Sequence, residues 1–261
     1  MTRHVAVARA RRVGLMAAAL ALCGSVASAK VMTWTVDGDT REAIVYVPAA
    51  PAGKLPLIFS FHGRGDDMEN FQYVLLQQAW PDAIVVYFQG LPNRDGLRGW
   101  QVEGGESTDR DLKLVDVALA SLRTMYTVDN DRIYATGFSN GAHFTYLLWA
   151  ARPNVFAAYA AVAGRMRPAA VPKEPRPVLH VAGARDQQVA FADQKAAIDT
   201  AVRVNGVGGA ITSCGPGCTV YGSGSATPVM TWIHSGGHEY PSGTSARIVS
   251  FFHDHPRIAP R

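Results

Sequence analysis

One stretch of ten residues, from Arg132 to Gly141, constrains the fold of this chain most. It has the pattern of a strand that enters a Gly-Phe-Ser-Asn-Gly turn and then a helix. Such a tight turn leaves little room for a Cβ beside the serine, and Gly137 and Gly141 meet that demand. The turn would expose the Ser139 hydroxyl and direct the Asn140 backbone N–H at developing negative charge. The stretch predicts a nucleophilic serine that needs a base, an acid and a second oxyanion donor.

The first 29 residues have the pattern of a signal peptide. Four arginines and no acidic residue lie there, and the apolar run from Val13 to Cys23 is too short to span a bilayer. A small-x-small cleavage pattern ends at Ala29. We expect cleavage near Ala29 and a secreted or periplasmic protein, and Arg11-Arg12 leaves twin-arginine export open beside the general route. Residues 30–261 then form the single predicted domain.

The charge balance favours neither a nucleic-acid nor a membrane partner. The whole chain carries 25 Lys and Arg against 21 Asp and Glu. Since the predicted signal peptide holds four of the arginines, the remaining 232 residues carry 21 of each sign. The basic excess therefore belongs to the export signal. We expect a monomer whose partner is a small, oligomeric or polymeric substrate.

Cys214 and Cys218 are the two cysteines that follow the predicted signal peptide, in Cys-Gly-Pro-Gly-Cys. In an exported protein such a pair predicts a local disulfide, and two free thiols are the alternative. The spacing gives only weak support for zinc. We expect neither a metal ion nor a cofactor.

Two strands at the start, followed by alternating strands and helices, predict an α/β protein. Eight apolar runs have strand character: Val31–Val36, Arg41–Val47, Leu57–Phe61, Ala83–Phe88, the run before Gly137, Ala157–Ala163, Val178–Ala182 and Val229–Ile233. The pattern indicates a mostly parallel sheet of about eight strands with helices on both faces. Only about 14 residues separate Ala163 from Val178, so little or no lid is expected above the reactive edge.

Two polar groups that could serve Ser139 also follow strand-like runs. His238 comes after a strand and a Gly-Gly turn, which leaves it free to reach the serine as its base. Asp186 follows the preceding strand and is the predicted carboxylate that orients His238. Asp193 is the alternative acid, although its predicted helical position favours a solvated role.

The loops around the serine offer further candidates. The loop after the run Leu57–Phe61 would supply the second oxyanion N–H, from Arg64 or from Gly63. His62 either supports this loop or contacts substrate. Trp100, in a long Gly- and Pro-containing loop, is either an aromatic wall of the site or a packed loop anchor.

Three motifs together resemble those of a known group of enzymes. They are His62-Gly63-Arg64-Gly65, the stretch from Tyr134 to Gly141, and Gly236-Gly237-His238-Glu239-Tyr240-Pro241. They are similar to the polyhydroxybutyrate depolymerase and feruloyl esterase-like family of α/β-hydrolases, which is related to the family 1 carbohydrate esterases. The resemblance covers nearly all of residues 30–261. It implies an α/β-hydrolase fold and a secreted serine carboxylesterase with Ser139, Asp186 and His238 as catalytic residues.

The resemblance leaves the ester open. Feruloyl or other aryl esters, acetylated sugars and hydroxyalkanoates all fit it. Polyhydroxybutyrate depolymerase activity, an acyltransferase and a non-catalytic carbohydrate-binding protein are alternatives on the same scaffold. Tyr240 stands where the group usually has tryptophan, which makes it a candidate substrate-binding residue. No linker or polymer-binding domain follows the last predicted helix, so we expect crystalline polyester to be a poor substrate.

Overall fold

The computed structural model describes Met1 and residues 28–257. Nearly all of the predicted signal peptide lies outside the described residues. Ser28 and Ala29 belong to the first strand, and their side chains are exposed. Cleavage near Ala29 and a single domain over residues 30–261 stay predictions.

The described residues form twelve strands. They are β1 (Ser28–Val36), β2 (Asp39–Val47), β3 (Leu55–Phe61), β4 (Ile84–Phe88), β5 (Leu91–Pro92), β6 (Arg98–Gly99), β7 (Val128–Phe138), β8 (Ala158–Val162), β9 (Val178–Gly183), β10 (Ile211–Gly215), β11 (Cys218–Tyr221) and β12 (Val229–His234). Ten of them build one sheet in the order β1-β2-β4-β3-β7-β8-β9-β12-β11-β10, and β5 pairs with β6 in a separate ribbon. The strands from β4 through β12 in this order are mutually parallel.

Six α-helices accompany the strands in the described part of the chain. They are α1 (Met68–Phe71), α2 (Leu76–Ala79), α3 (Arg110–Met125), α4 (Asn140–Ala151), α5 (Phe191–Asn205) and α6 (Thr244–Asp254). Helices α3, α4 and α5 contribute to one apolar cluster. Helices α1, α2 and α6 contribute to the other. Within residues 28–257, no helix is both long and apolar enough to cross a bilayer.

The central strands are buried on both faces because helices cover each of them. In β3, Leu57 and Phe59 join the first cluster, whereas Ile58 between them joins the second. Alternate side chains of a strand point to opposite faces, so a strand covered on both sides is apolar throughout. This explains the continuous apolar runs that the sequence shows.

The predicted sheet with helices on both faces is confirmed, but it has ten strands rather than about eight. The prediction missed β10 and β11, an antiparallel hairpin that extends the sheet beyond β12. All five residues of β10 are exposed, so the hairpin lacks the apolar alternation that reveals a half-buried strand. A disulfide joins Cys214 to Cys218 across this hairpin, as predicted.

The sheet order decides what surrounds Ser139, which follows β7 directly. The loop after β3 lies on one side of it and the connection after β8 on the other. The connection between β8 and β9 holds one 3-10 turn, Pro168–Ala170, and no lid helix. The expectation of little or no lid is confirmed.

Candidate active site

Ser139 occupies a strained backbone position between β7 and α4. Its φ of 54° and ψ of −114° fall in a region that costs a non-glycine residue about 1–3 kcal/mol. Its N–H donates to the Val162 carbonyl at 2.8 Å, which holds the turn against β8. A Cβ on Gly137 would overlap the carbonyl of Gly141, and one on Gly141 would overlap the carbonyl of Phe61. The close approach of three chain segments therefore requires both glycines.

The structure brings Ser139, His238 and Asp186 into one hydrogen-bonded line. Nε2 of His238 lies 2.8 Å from Oγ of Ser139, and Nδ1 lies 2.8 Å from Oδ2 of Asp186. An ionised carboxylate only accepts, so Nδ1–H donates to Asp186 and Nε2 is left to accept the serine hydroxyl. This is the tautomer that a general base needs.

Both carboxylate oxygens of Asp186 accept hydrogen bonds, and its side chain is fully buried. Oδ1 accepts the backbone N–H groups of Gln188 and Val189, each at 2.9 Å. Oδ2 accepts the side-chain amide of Gln194 at 2.9 Å in addition to His238. Hydrogen bonds to a charged group contribute about 1.5–3 kcal/mol each, so these donors hold the carboxylate in place beside His238.

Gln194, His180 and Tyr146 form a series of buried, hydrogen-bonded side chains behind Asp186. Because the Gln194 amide donates to Asp186 and to the Val189 carbonyl, its Oε1 is free to accept Nε2–H of His180 at 3.3 Å. Nδ1 of His180 then accepts the Tyr146 hydroxyl at 2.6 Å. Burial lowers the pKa of His180 to about 4, so the ring is neutral and every donor in the chain points toward Asp186.

These hydrogen-bonded side chains behind Asp186 were not predicted, although the sequence does contain a signal for Gln194. On α5, Gln194 shares the buried face with Ala197, Ile198 and Ala201. A polar residue at an apolar position of a helix indicates a buried hydrogen bond. Asp193, the alternative acid, is half-exposed and pairs with Arg165 at 2.9 Å, away from the line of Asp186 and His238.

The candidate oxyanion donors lie next to Ser139. Asn140 is the first residue of α4, and a Cβ on Gly63 would lie 3.6 Å from Cβ of Ser139. Among the described residues, none accepts a hydrogen bond from the backbone N–H of Gly63, Arg64 or Asn140. Arg64 and Gly63 both remain candidates for the second donor.

A cleft of about 710 Å³ opens above Ser139 and His238. The loop after β3, the loop that carries Trp100, the first turns of α4 and the connection after β8 all line it. The Arg64 side chain, on the rim, pairs with Asp95. In residues 28–257 no group of three or more His, Cys, Asp or Glu side chains is arranged to hold a metal ion.

His62 supports the loop after β3 and offers no surface to a substrate. Its side chain is completely buried. Nε2 accepts the Gly90 N–H at 3.0 Å, so Nδ1–H donates to the Gly63 carbonyl at 2.7 Å. Burial lowers the pKa of His62, in agreement with a neutral ring. His62 therefore supports the loop, and its imidazole is too deeply buried to contact a substrate.

Trp100 is a packed anchor, with 1% of its surface exposed. Its indole N–H donates to the His62 carbonyl at 2.9 Å, and its ring stacks on Phe144 with centroids 5.7 Å apart. The indole therefore joins the long loop to the loop after β3. It does not form the exposed aromatic wall that was one of the two expectations for this residue.

Tyr240 packs behind the site, outside the residues that line the cleft. Its hydroxyl lies 2.8 Å from Oγ of Ser245, and its ring meets Phe138 edge to face with centroids 6.3 Å apart. Phe138 in turn packs against the His238 ring. The structure thus gives Tyr240 an indirect contact with the base and does not support direct substrate binding.

Comparison with curated proteins finds esterases as relatives. The chain is 30% identical over 154 residues to a bifunctional acetylxylan esterase/xylanase from Neocallimastix patriciarum, a match that covers 58% of this chain and 22% of that protein. It is 27% identical over 226 residues to feruloyl esterase C of Emericella nidulans, with 80% of each chain covered. The chain thus spans well under half the length of the first of these relatives. No protein-family model matches it.

Solved structures of esterases share the fold. The acetyl xylan esterase of Aspergillus awamori superposes with a TM-score of 0.68 at 15% identity, over 86% of this chain and 99% of that one. The α/β-hydrolase fold is confirmed, and so is the resemblance to the feruloyl esterase-like group.

Proposed function

We propose that this chain is an exported serine carboxylesterase that hydrolyses its substrate through an acyl-enzyme. The observation that carries the proposal is the line from Ser139 through His238 to Asp186, with 2.8 Å at each hydrogen bond. Serine hydroxyl is a poor nucleophile alone and needs an adjacent base. The names of the relatives, acetylxylan esterase and feruloyl esterase, support ester hydrolysis in particular.

In this proposal His238 takes the Ser139 proton as the oxygen attacks the ester carbonyl. Asp186 holds the imidazole in place and stabilises the cation that forms. The N–H of Asn140 and that of Arg64 or Gly63 stabilise the oxyanion of the tetrahedral intermediate. His238 then protonates the departing alcohol, and a water molecule repeats the sequence to release the acid from Ser139.

The open cleft favours an ester with a bulky partner. Since no lid helix lies between β8 and β9, a sugar, aryl or oligomeric chain can lie across the site. Feruloyl and acetyl-sugar esters are the leading substrates because the relatives carry those names. Soluble hydroxybutyrate oligomers, the substrate of the depolymerase alternative, fit the same opening. The Cys214–Cys218 disulfide supports export, since disulfides persist in oxidising compartments.

The test compares wild type with Ser139→Ala on a short-chain nitrophenyl ester. We expect kcat/KM to fall by at least about 10⁴-fold, as for loss of a nucleophile. Ser250→Ala, an exposed serine of α6, is the matched control and should keep full activity. A fluorophosphonate probe should label wild type and the control but not Ser139→Ala. Full activity of Ser139→Ala would refute the proposal.

A substrate panel then separates the ester classes. Methyl ferulate, acetylated xylan and soluble hydroxybutyrate oligomers are compared by kcat/KM, and a preference for the oligomers would favour the depolymerase alternative. Adding an alcohol acceptor to the best substrate tests acyl transfer, because a transferase would yield a new ester in place of free acid.

A further inference from the structure

We propose that Arg167 and His143 form a carboxylate-binding subsite beside Ser139, and that preferred substrates carry an anionic group on the acid or the alcohol part of the ester. The inference rests on the proposed function and names a substrate class for the same cleft.

The subsite contains two side-chain nitrogen atoms that have no hydrogen-bond partner among the described residues. Arg167 and His143 both line the cleft that contains Ser139 and His238. Nε of Arg167 and Nε2 of His143 are each buried without a hydrogen-bond partner among the described residues. A buried donor that lacks an acceptor costs free energy. A carboxylate offers two oxygen atoms with about four acceptor positions, so one group can satisfy both donors.

The guanidinium of Arg167 has no acidic partner in the described part of the chain. Within residues 28–257, no acidic oxygen lies within 4.0 Å of its guanidinium, whereas Arg64 pairs with Asp95 and Arg165 pairs with Asp193. Arg167 is only half-buried, so a ligand that enters the cleft can reach it. Arginine binds carboxylates in a bidentate geometry, which adds orientation to attraction.

The acidic residues of the cleft lie on the other side of Ser139. Asp66 belongs to the loop after β3, where it accepts hydrogen bonds from Asp67 and Asn70. Glu106 accepts the N–H of Val102 in the loop that follows β6. Strand β6, which leads into this loop, contacts the loop after β3, since the Gly65 N–H donates to the Arg98 carbonyl at 2.8 Å.

Arg167 lies in the connection after β8, and β7 separates β8 from β3. Toward β3 the charge of Arg64 is paired with Asp95, and Asp66 and Glu106 add two carboxylates, whereas toward β8 Arg167 has no acidic partner among the described residues. An ester with a carboxylate would bind in one orientation across Ser139.

His143 contributes a hydrogen bond rather than a second charge. Burial, followed by the positive charges of Arg167 and Arg165, lowers the pKa of His143 to about 3. A neutral imidazole can place its proton on Nε2 and donate to an anion. His143 sits one helical turn after Ser139, so its distance from the reacting atoms is fixed by α4.

Matched pairs of esters test the subsite. Monoethyl succinate carries a carboxylate on the acid part, and ethyl succinamate replaces it with an amide of similar size. On the alcohol part, 3-acetoxybutanoate is compared with 3-acetoxybutanamide. We expect wild type to prefer the carboxylate of at least one pair in kcat/KM. Arg167→Gln should reduce that preference about tenfold, which corresponds to about 1.4 kcal/mol. The pair that responds identifies which part of the ester carries the anion.

Arg165→Gln is the matched control, because it removes a neighbouring charge that is already paired with Asp193. It should keep the wild-type preference and the wild-type kcat/KM on the amide esters. The subsite is refuted if wild type prefers neither carboxylate, or if both arginine variants change the preference equally.

A binding experiment separates this inference from the proposed function. N-ethylsuccinamate carries the carboxylate but no ester, so calorimetry can measure its affinity without turnover. We expect wild type to bind it more tightly than N-ethylbutanamide and Arg167→Gln to lose that difference. Binding without ester hydrolysis would contradict the proposed function and leave the subsite standing, whereas hydrolysis without this difference in binding would refute the subsite alone.

Discussion

The side chain of Asn140 forms two hydrogen bonds with the backbone of Trp100. Its Oδ1 accepts the Trp100 N–H at 2.7 Å, and its Nδ2 donates to the Trp100 carbonyl at 3.1 Å. Residue 140 thus has two separate tasks: its backbone N–H faces the reacting carbonyl in the proposed mechanism, and its side chain holds the long loop. A Cβ on Gly99 would lie 2.6 Å from Oδ1 of Asn140, so Gly99 makes this approach possible.

We expect Asn140→Ala to lower the free energy of unfolding by about 1–3 kcal/mol, because the Trp100 N–H loses its acceptor. We also expect kcat/KM to fall about tenfold as the loop loses its place beside the cleft. The backbone N–H of residue 140 remains, so the effect reports the side chain. Urea unfolding and ester hydrolysis measure the two changes. Asn154→Ala, which removes an exposed amide, is the control, and equal behaviour of the two variants would contradict the prediction.

Gln194→Leu should lower kcat about tenfold with little change in KM. Gln194 is completely buried, so it cannot contact substrate, and its loss acts through the hydrogen bond to Asp186. The free energy of unfolding should also fall, by about 1–3 kcal/mol, since His180 loses its acceptor. Steady-state kinetics separates the two constants. Asp193→Asn, one residue earlier on α5, should leave kcat unchanged. An unchanged kcat in Gln194→Leu would mean that Gln194 has a purely structural role.

Stability should fall as pH drops below about 6.5, partly because of His180. The folded protein holds the pKa of His180 near 4, against a reference value of 6.5. Between these values the unfolded chain binds the proton and the folded protein does not, so the free energy of unfolding decreases as pH falls, by up to about 1.4 kcal/mol per unit for one proton. Urea unfolding at pH 7 and pH 5 should show a smaller decrease for His180→Gln. An equal decrease in both proteins would assign the effect to other groups.

Loss of the Cys214–Cys218 disulfide should lower the free energy of unfolding by less than loss of a disulfide that closes a long loop. Only three residues lie between the two cysteines, and a loop this short constrains the unfolded chain weakly, by about 2 kcal/mol. The hairpin lies at the end of the sheet, and β12, β9 and β8 stand between it and Ser139. The double substitution to serine should keep kcat/KM within about twofold and lower the unfolding midpoint modestly. Loss of esterase activity on reduction of the wild-type protein would contradict this.

The candidate triad could be predicted because its members lie at recognisable places in the sequence. Ser139, Asp186 and His238 each follow a strand of a parallel sheet, and the carboxyl ends of such strands lie at one edge. Strand order and distances could not be predicted, because they depend on pairing between distant segments. The roles of Trp100 and Tyr240 also required the structure, since an aromatic residue in a loop packs inward or lines a cleft with the same local sequence.

The hairpin β10–β11 could not be found from local pattern. Its strands contain Ser, Thr and Gly, and β10 is exposed along its whole length. Its pairing depends on the free edge of β12, which is a tertiary contact. The buried hydrogen-bond donors behind Asp186, in contrast, could be found in part from the sequence. Gln194 stands on the apolar face of α5, so its position in the sequence already marks it as a buried polar group, although its partner is visible only in the fold.

The site has a part in which the amino acid is fixed, at Gly137 and Gly141, and a rim on which it can change. Any side chain at either glycine would collide with backbone. The position of Ser139 therefore depends on glycine at both places. Arg64 and Arg167 stand on loops at the mouth of the cleft, where a substitution changes charge and shape without moving the sheet. Under the proposed function, selection for a new ester can therefore act on the rim alone, while Ser139, His238 and Asp186 keep their positions.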